Sequence, residues 1–319
     1  MPPYAPVLYH GGNNYIQKAA KKPVNQLTER LYKEFMEVKK VNKKILVDWL
    51  TCTLGINCFM RDFVGLEEKD FRDKDPLDTA LDASHFTDEA VLSHVIHFLG
   101  LPSDTKLMPG RAHYGYGKWY FYGGIRLAWG NCDTIMIDMT GEGCRLFETL
   151  VPDLDWLTFI KKVTKMQVHN FSRLDVACDT QGKGGLRMRD ILRFTLDGRY
   201  VSRWKLPPRI VQGREETVDF GSPKSRTMLR IYNKSLEREC KLNDDISIPE
   251  NWVRCELQLR NDAVDSFIRE WMKSGDISAC YFGIMANQLR FVKERKENAS
   301  RSEIVKWWRD FWIMPSLSD

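Results

Sequence analysis

The stretch 227-TMLRIYNK-234 decides how the rest of the chain is read. Leu229 and Ile231 alternate with Arg230, Tyr232 and Lys234, a period of two that marks a β-strand with one apolar and one polar face. The tyrosine therefore shares a face with two cations. Two readings stand at this point. The phenol can be an amphipathic cross-strand neighbour, or it can be a nucleophile whose phenolate the cations stabilise.

Three other stretches repeat the pattern. In 134-TIMIDMT-140, Ile135, Ile137 and Met139 oppose Asp138. In 171-FSRLDVACD-179, Leu174, Val176 and Cys178 oppose Arg173, Asp175 and Asp179. In 252-WVRCELQLR-260, Val253, Cys255, Leu257 and Leu259 oppose Arg254, Glu256, Gln258 and Arg260. The apolar faces call for helices, and helical spacing is found at about 87–100, 154–166 and 186–198. It returns in AVDSFIREWMKSG, at about 276–294, and in EIVKWWRDFW. The fold expected is α+β: a curved, largely antiparallel β-sheet with helices packed on one face, a polar face carrying the active site, and C-terminal helices.

Residues 1–24 read as an arm rich in Pro, Gly, Asn and Lys. Residues 25–44 read as one basic-ended helix, with Leu27, Leu31, Phe35 and Val38 at helical spacing. The remainder, 45–319, reads as one catalytic domain that divides into two α+β halves of like shape, about 45–168 and 169–319.

Asp138, Asp175 and Glu256 give the polar faces three central carboxylates. The bland reading is a solvated face laced with salt bridges. Clustered carboxylates repel unless a cation joins them, and acids without histidine or thiolate suit a hard divalent ion, Mg²⁺ or Mn²⁺. His94 and His97 form HxxH, a spacing that fits packing histidines better than a zinc pair. No Walker motif and no His-hydrophobic-His motif occurs. The Gly/Tyr-rich stretch GRAHYGYGKWYFYGG reads as a structural hairpin.

The chain has 319 residues, 48 Lys and Arg against 43 Asp and Glu, and a net charge of +5. A polyanion partner must therefore be recognised by local clustering. Between Lys183 and Arg214 nine basic residues stand against Asp190 and Asp197. Arg187, Arg189 and Arg193 fall on the predicted helix, and Arg199, Arg203 and Lys205 follow, with Tyr200 and Trp204 interleaved. That is the footprint of phosphate contacts with some base stacking; Arg173 and Arg254 extend it on the strand faces. The eight cysteines form no CxxC pair, the pattern of reduced thiols, and no signal or membrane-spanning run is seen. A soluble, cytoplasmic protein is expected.

The ordered set FSRLDVACD, LRIYNK with its upstream DFGSPKS turn, WVRCELQL and IMIDMTGEGCRLFE resembles the Rep_trans replication initiation factors. These are rolling-circle initiators of small plasmids and some phages, with MobT-type relaxases of integrative conjugative elements as relatives. The resemblance runs from about Val47 to Phe311. It implies that Tyr232 is the nicking nucleophile and that Asp138, Asp175 and Glu256 bind the metal; Arg230 and Lys234, on the tyrosine's face, are then candidates for holding the scissile phosphate and the phenolate. The first of these acids is usually Glu in the family, so Asp138 is shorter by one methylene. Also implied are a 5′-phosphotyrosine intermediate, a free 3′-OH, resealing without ATP, and a homodimer working with a host helicase. The DNA would be an origin, double-stranded with a single-stranded or hairpin nick site. Two alternatives remain: a relaxase nicking the transfer origin of a conjugative element, and a DNA-binding regulator that lost catalysis. The intact Tyr232 and acid set argues against the second.

Overall fold

The structure, a computed structural model, describes residues 7–10, 43–64, 87–241 and 248–312. The expected arm and basic helix lie outside the described residues, except that Val7–His10 and the residues from Lys43 onward form strands. Among the described residues the chain forms two compact units. One runs from Val47 to Leu174; the other joins 175–312 with 7–10 and 43–46. The boundaries fall inside two strands.

Strand β1 (Val7–His10) belongs to the second unit. The first unit holds most of β2 (Lys43–Gly55), then α1 (Ile56–Val64) and α2 (Asp88–Leu99). Strands β3 (Met108–Pro109), β4 (Lys118–Tyr122), β5 (Ile125–Trp129) and β6 (Thr134–Met139) follow. Helices α3 (Gly141–Leu150) and α4 (Trp156–Thr164) lead into β7 (His169–Thr180). The strand order β2-β6-β5-β4-β3 is antiparallel throughout. Phe59, Trp129 and Phe147 are fully buried beneath it, each worth roughly 1.5–3 kcal/mol of transfer free energy.

The stretch TGEGCR opens a helix. Thr140 caps α3 by accepting from the Gly143 N–H at 3.3 Å. Gly143 itself lies against the Gly124 backbone: a Cβ on either glycine would fall 2.2–2.3 Å from the other's backbone atoms. Helix and hairpin touch at two glycines because nothing larger fits.

In the second unit come α5 (Met188–Leu196), β8 (Tyr200–Ser202), β9 (Arg209–Gln212), β10 (Thr217–Gly221) and β11 (Thr227–Asn233). They are followed by α6 (Lys234–Lys241), β12 (Val253–Arg260), α7 (Asp262–Ser274), α8 (Ile277–Gln288), β13 (Leu289–Phe291) and α9 (Lys306–Trp312). The main order is β1-β9-β10-β11-β12-β7, and β8 pairs with β13 apart from it. β1 and β9 run parallel; β9, β10, β11 and β12 are antiparallel neighbours. The C-terminal helices cover the apolar side, where the Tyr281 hydroxyl donates to the Cys255 carbonyl at 2.8 Å and Phe311 is buried.

The α+β, antiparallel reading is thus found. The polar face, however, is not an open one. Asp138, Asp175, Asp219, Arg254 and Glu256 are all under a tenth exposed. Burial on that scale requires every charge to be answered by a neighbour, and the strand register supplies the neighbours. Among the described residues no helix is long and apolar enough to cross a membrane.

Candidate active site

Strand register aligns charges of alternating sign across four strands of the second unit. Arg209 of β9 stands opposite Asp219 of β10, Asp219 opposite Arg230 of β11, and Arg230 opposite Glu256 of β12. Directly opposed side chains interact, and opposite charges are the favourable case. Asp219, 2% exposed, accepts from Arg209 Nε at 2.9 Å and Nη2 at 2.6 Å, and from Arg230 Nε at 3.1 Å. Burial pulls the Arg230 guanidinium down, but Asp219 and then Glu256 outweigh it and hold it above its ordinary value. Arg230 stays charged.

Tyr232 occupies the next row, two residues along β11 on the same face. Its hydroxyl donates to Glu256 Oε2 at 3.4 Å and receives from Lys234 Nζ at 3.5 Å. Glu256 is oriented from its other oxygen by the Gln258 amide at 2.7 Å. A phenol between a carboxylate and an ammonium has an acceptor for its proton and a cation for the charge left behind. Both contacts are long.

Lys234 reaches this place by a different route from the one expected. The strand ends at Asn233, and Lys234 is the first residue of α6. Its backbone N–H still bonds the Trp252 carbonyl at 2.8 Å, and its ammonium also pairs with Glu237 one turn on.

Arg254, expected on DNA, is instead an internal group. It is 6% exposed, and its guanidinium grips both oxygens of Asp179 at 2.6 and 2.7 Å. Sequence alternation put both residues on polar faces; only the register shows that they cancel. Asp175 is 1% exposed on β7, the strand beside β12.

Asp138 lies in the first unit, and its surroundings are those of that unit. Oδ1 accepts from Thr51 Oγ1 at 2.6 Å and Trp49 Nε1 at 2.8 Å; Oδ2 accepts from Arg126 at 3.2 Å. Arg173 lies flat over the Trp49 ring, 3.7 Å from its centroid. Among the described residues no three His, Cys, Asp or Glu side chains are gathered as a ready metal cage. The donor chemistry of Asp138, Asp175 and Glu256 fits a hard divalent ion.

The basic segment is placed on and after α5. Arg187 and Arg193 are exposed and both pair with the buried Asp190, at 2.5 and 3.3 Å. Arg199 pairs with Asp197 at 2.6 Å and stacks on Phe194. Arg189, Arg203 and Lys205 are exposed, and none has an ion-pair partner among the described residues. The interleaved rings serve the fold instead of presenting faces. Tyr200 packs edge-on to Phe220, and the Trp204 indole donates to the Thr227 carbonyl at 3.0 Å. Gly221 makes room for that indole. Its φ is +95°, and a Cβ there would meet Trp204 at 2.8 Å. His94 is a packing histidine, buried on Phe59 with Nε2 2.8 Å from the Phe59 carbonyl oxygen; His97 is exposed.

Asp219, Arg209 and Gln258 organise this site and were not singled out in the sequence. The one available signal was the acid at the centre of TVDFG, which alternates like the other three.

Comparison with known proteins falls on the same segments. Residues 169–314 match the family described as "Replication initiation factor", and residues 85–162 match that described as "Rolling Circle replication initiation protein N-terminal domain". A curated protein of Bacillus subtilis (strain 168), named "Putative DNA relaxase NicK", is 28% identical over 273 residues, 79% of this chain and 75% of that one. A solved rolling circle replication initiator protein from Geobacillus stearothermophilus shares the fold, with a TM-score of 0.62 at 22% identity. That match covers 85% of this chain and 95% of the other.

Proposed function

We propose that this chain, which matches the family described as "Replication initiation factor" over residues 169–314, starts rolling-circle replication by nicking and rejoining one strand of an origin. The observation that carries the reading is the Tyr232 hydroxyl held between Glu256 and Lys234. In the proposed step the Tyr232 oxygen attacks the phosphorus as its proton passes to Glu256. The bond from phosphorus to the 3′-oxygen breaks, and that oxygen takes up a proton and leaves as a 3′-OH. The 5′-phosphate stays on Tyr232 as a phosphodiester, so the reverse attack by a 3′-OH reseals the strand without ATP. Lys234 offsets the phenolate charge. Arg230, kept charged by Asp219, is offered to the scissile phosphate.

Asp175 and Glu256, and Asp138 by the family resemblance, are the proposed carboxylates for Mg²⁺ or Mn²⁺, which when bound neutralises charge on the reacting phosphate. Arg189, Arg203 and Lys205 are proposed to bind the DNA backbone, with the Asp190-paired Arg187 and Arg193 beside them. A homodimer, a host helicase and a cytoplasmic place on a plasmid or other mobile element belong to the same proposal.

The test is covalent capture. Wild type incubated with supercoiled DNA carrying the cognate origin and Mg²⁺ or Mn²⁺ is expected to yield a protein–DNA adduct, lost with EDTA. Tyr232→Phe is expected to yield none while still binding DNA. An adduct that persists in Tyr232→Phe would move the nucleophile elsewhere. A second reading is favoured by the Bacillus subtilis relative named as a relaxase: the same chemistry used at a transfer origin. Supplying replication and transfer origins in parallel decides between them by which one is cut.

A further inference from the structure

From Thr105 to Cys132 the first unit carries no Asp or Glu, yet holds Lys106, Arg111, Lys118 and Arg126 and seven Phe, Trp or Tyr rings. Four cations in 28 residues rival the +5 of the whole chain. This is the hairpin built on β3, β4 and β5, and folding accounts for only part of its aromatic content. Tyr116 bonds Thr134 at 3.1 Å, Tyr120 stacks on Trp129, and Trp119 packs on Ala128 and Met136.

The tip is different. Tyr114 is 80% exposed, and it holds a φ of +56° that a residue with a Cβ adopts at a cost. Met108 and Phe121, paired across β3 and β4, are also exposed, at 57% and 39%. The tip is not a loose end: the Gly110 N–H bonds the Trp119 carbonyl at 2.8 Å, and His113 packs edge-on to Trp119. The tip holds a large ring out in water, on a segment whose own charged residues are all cations. A strained, anchored, outward-facing ring is the kind of outlier from which function is argued.

We infer that the Tyr114 tip is a stacking platform for the unpaired bases of single-stranded DNA, with Lys106 and Arg111 on its phosphates. Every base has a face to stack, so such a platform works without reading sequence. Duplex DNA hides those faces. The inference rests on the DNA-processing reading and gives it a surface that would hold an opened strand.

The test uses Tyr114→Gly in the full chain, because glycine removes the ring and relieves the left-handed backbone at once. A misfolded variant is thereby separable: its thermal midpoint should equal or exceed that of wild type. Fluorescence anisotropy with a labelled poly-dT oligonucleotide is expected to show roughly a tenfold weaker Kd, with duplex DNA of equal length bound as before. Tyr114→Trp should restore single-strand binding. Equal poly-dT affinity in wild type and Tyr114→Gly overturns the inference, as does a loss shared equally by duplex. Conversion of a dimer to a monomer at unchanged poly-dT affinity also overturns it and makes the tip a contact between copies. The wild-type adduct assay on Tyr232 is read alongside. An adduct with no Tyr114 effect sinks only the platform; a Tyr114 effect with no adduct on any origin sinks only the nicking reading.

Discussion

Asp138 in the first unit and Glu256 in the second are both strand carboxylates, both under a tenth exposed, and alike in sequence pattern. Their neighbours differ in kind. Asp138 accepts from an indole, a threonine hydroxyl and a guanidinium, three groups with no chemistry at stake, at 2.6–3.2 Å. Glu256 accepts from an amide at 2.7 Å and from a phenol at 3.4 Å, and that phenol also faces an ammonium. A carboxylate becomes a candidate base by the company it keeps, and alternation along a strand cannot report company.

The comparison is broken or sharpened most by paired substitutions. Glu256→Gln keeps the shape and removes the proton acceptor, so cleavage of origin DNA is expected to fall roughly 10²–10⁴-fold with little change in thermal midpoint. Asp138→Asn leaves charged and neutral donors facing an amide. It also removes a proposed metal carboxylate, so cleavage by the folded fraction is expected to fall, together with about 1–3 kcal/mol of stability, read by urea unfolding. Should Asp138→Asn leave cleavage by the folded fraction untouched, Asp138 is no metal carboxylate and Glu256 alone of the two serves the chemistry.

How much of this was visible in advance follows from what each signal measures. Period-two alternation located β6, β7, β11 and β12, and helical spacing located α2, α4, α5 and α7, because those patterns are local. Helix α3 carries no such signal: its opening Gly-Glu-Gly is poor helix material, and tertiary packing of Gly143 on Gly124 overrides that preference. Helix α6 was hidden because its first residue, Lys234, continues the alternation of β11. The pairing of Arg254 with Asp179, 75 residues apart, and of Arg209 with Asp219 depends on register, which a sequence does not print. For the same reason alternation alone leaves the bland, solvated reading of the polar face open: only the partners supplied by register make burying five charges tolerable.

A second test concerns Asp219, which sits between two arginines and has no proposed part in bond-making. Asp219→Asn leaves Arg209 and Arg230 facing an amide inside the sheet. Because both arginines reach solvent, the loss is expected at the low end for a broken buried pair, about 3 kcal/mol. Arg230 loses its orienting partner as well, so cleavage measured on the folded fraction should also drop. Full cleavage by that fraction would show that Arg230 does not need its place in the row, and the row would then be a folding device alone.

The smallest effect belongs to a carboxylate of a third kind. Asp88, at the start of α2, pairs with Lys118 at 2.5 Å and accepts from the Tyr120 hydroxyl at 2.8 Å, but it is partly open to water. Burial works to raise its pKa, and the hydrogen bonds from Lys118 and Tyr120 overcome that, leaving it below the ordinary carboxylate value. A depressed folded pKa means the stabilisation is present above the unfolded value, near pH ~3.9, and is lost as pH falls through the lower folded one. Asp88→Asn should therefore cost less than about 1 kcal/mol at neutral pH, and the gap between variant and wild-type urea midpoints should close on acidification below pH ~4. A gap that widened in acid would mean that the carboxylate strains this helix start. Solvent at Asp88 weakens the same kind of hydrogen bonds and ion pairs that hold the buried Asp138 at full strength.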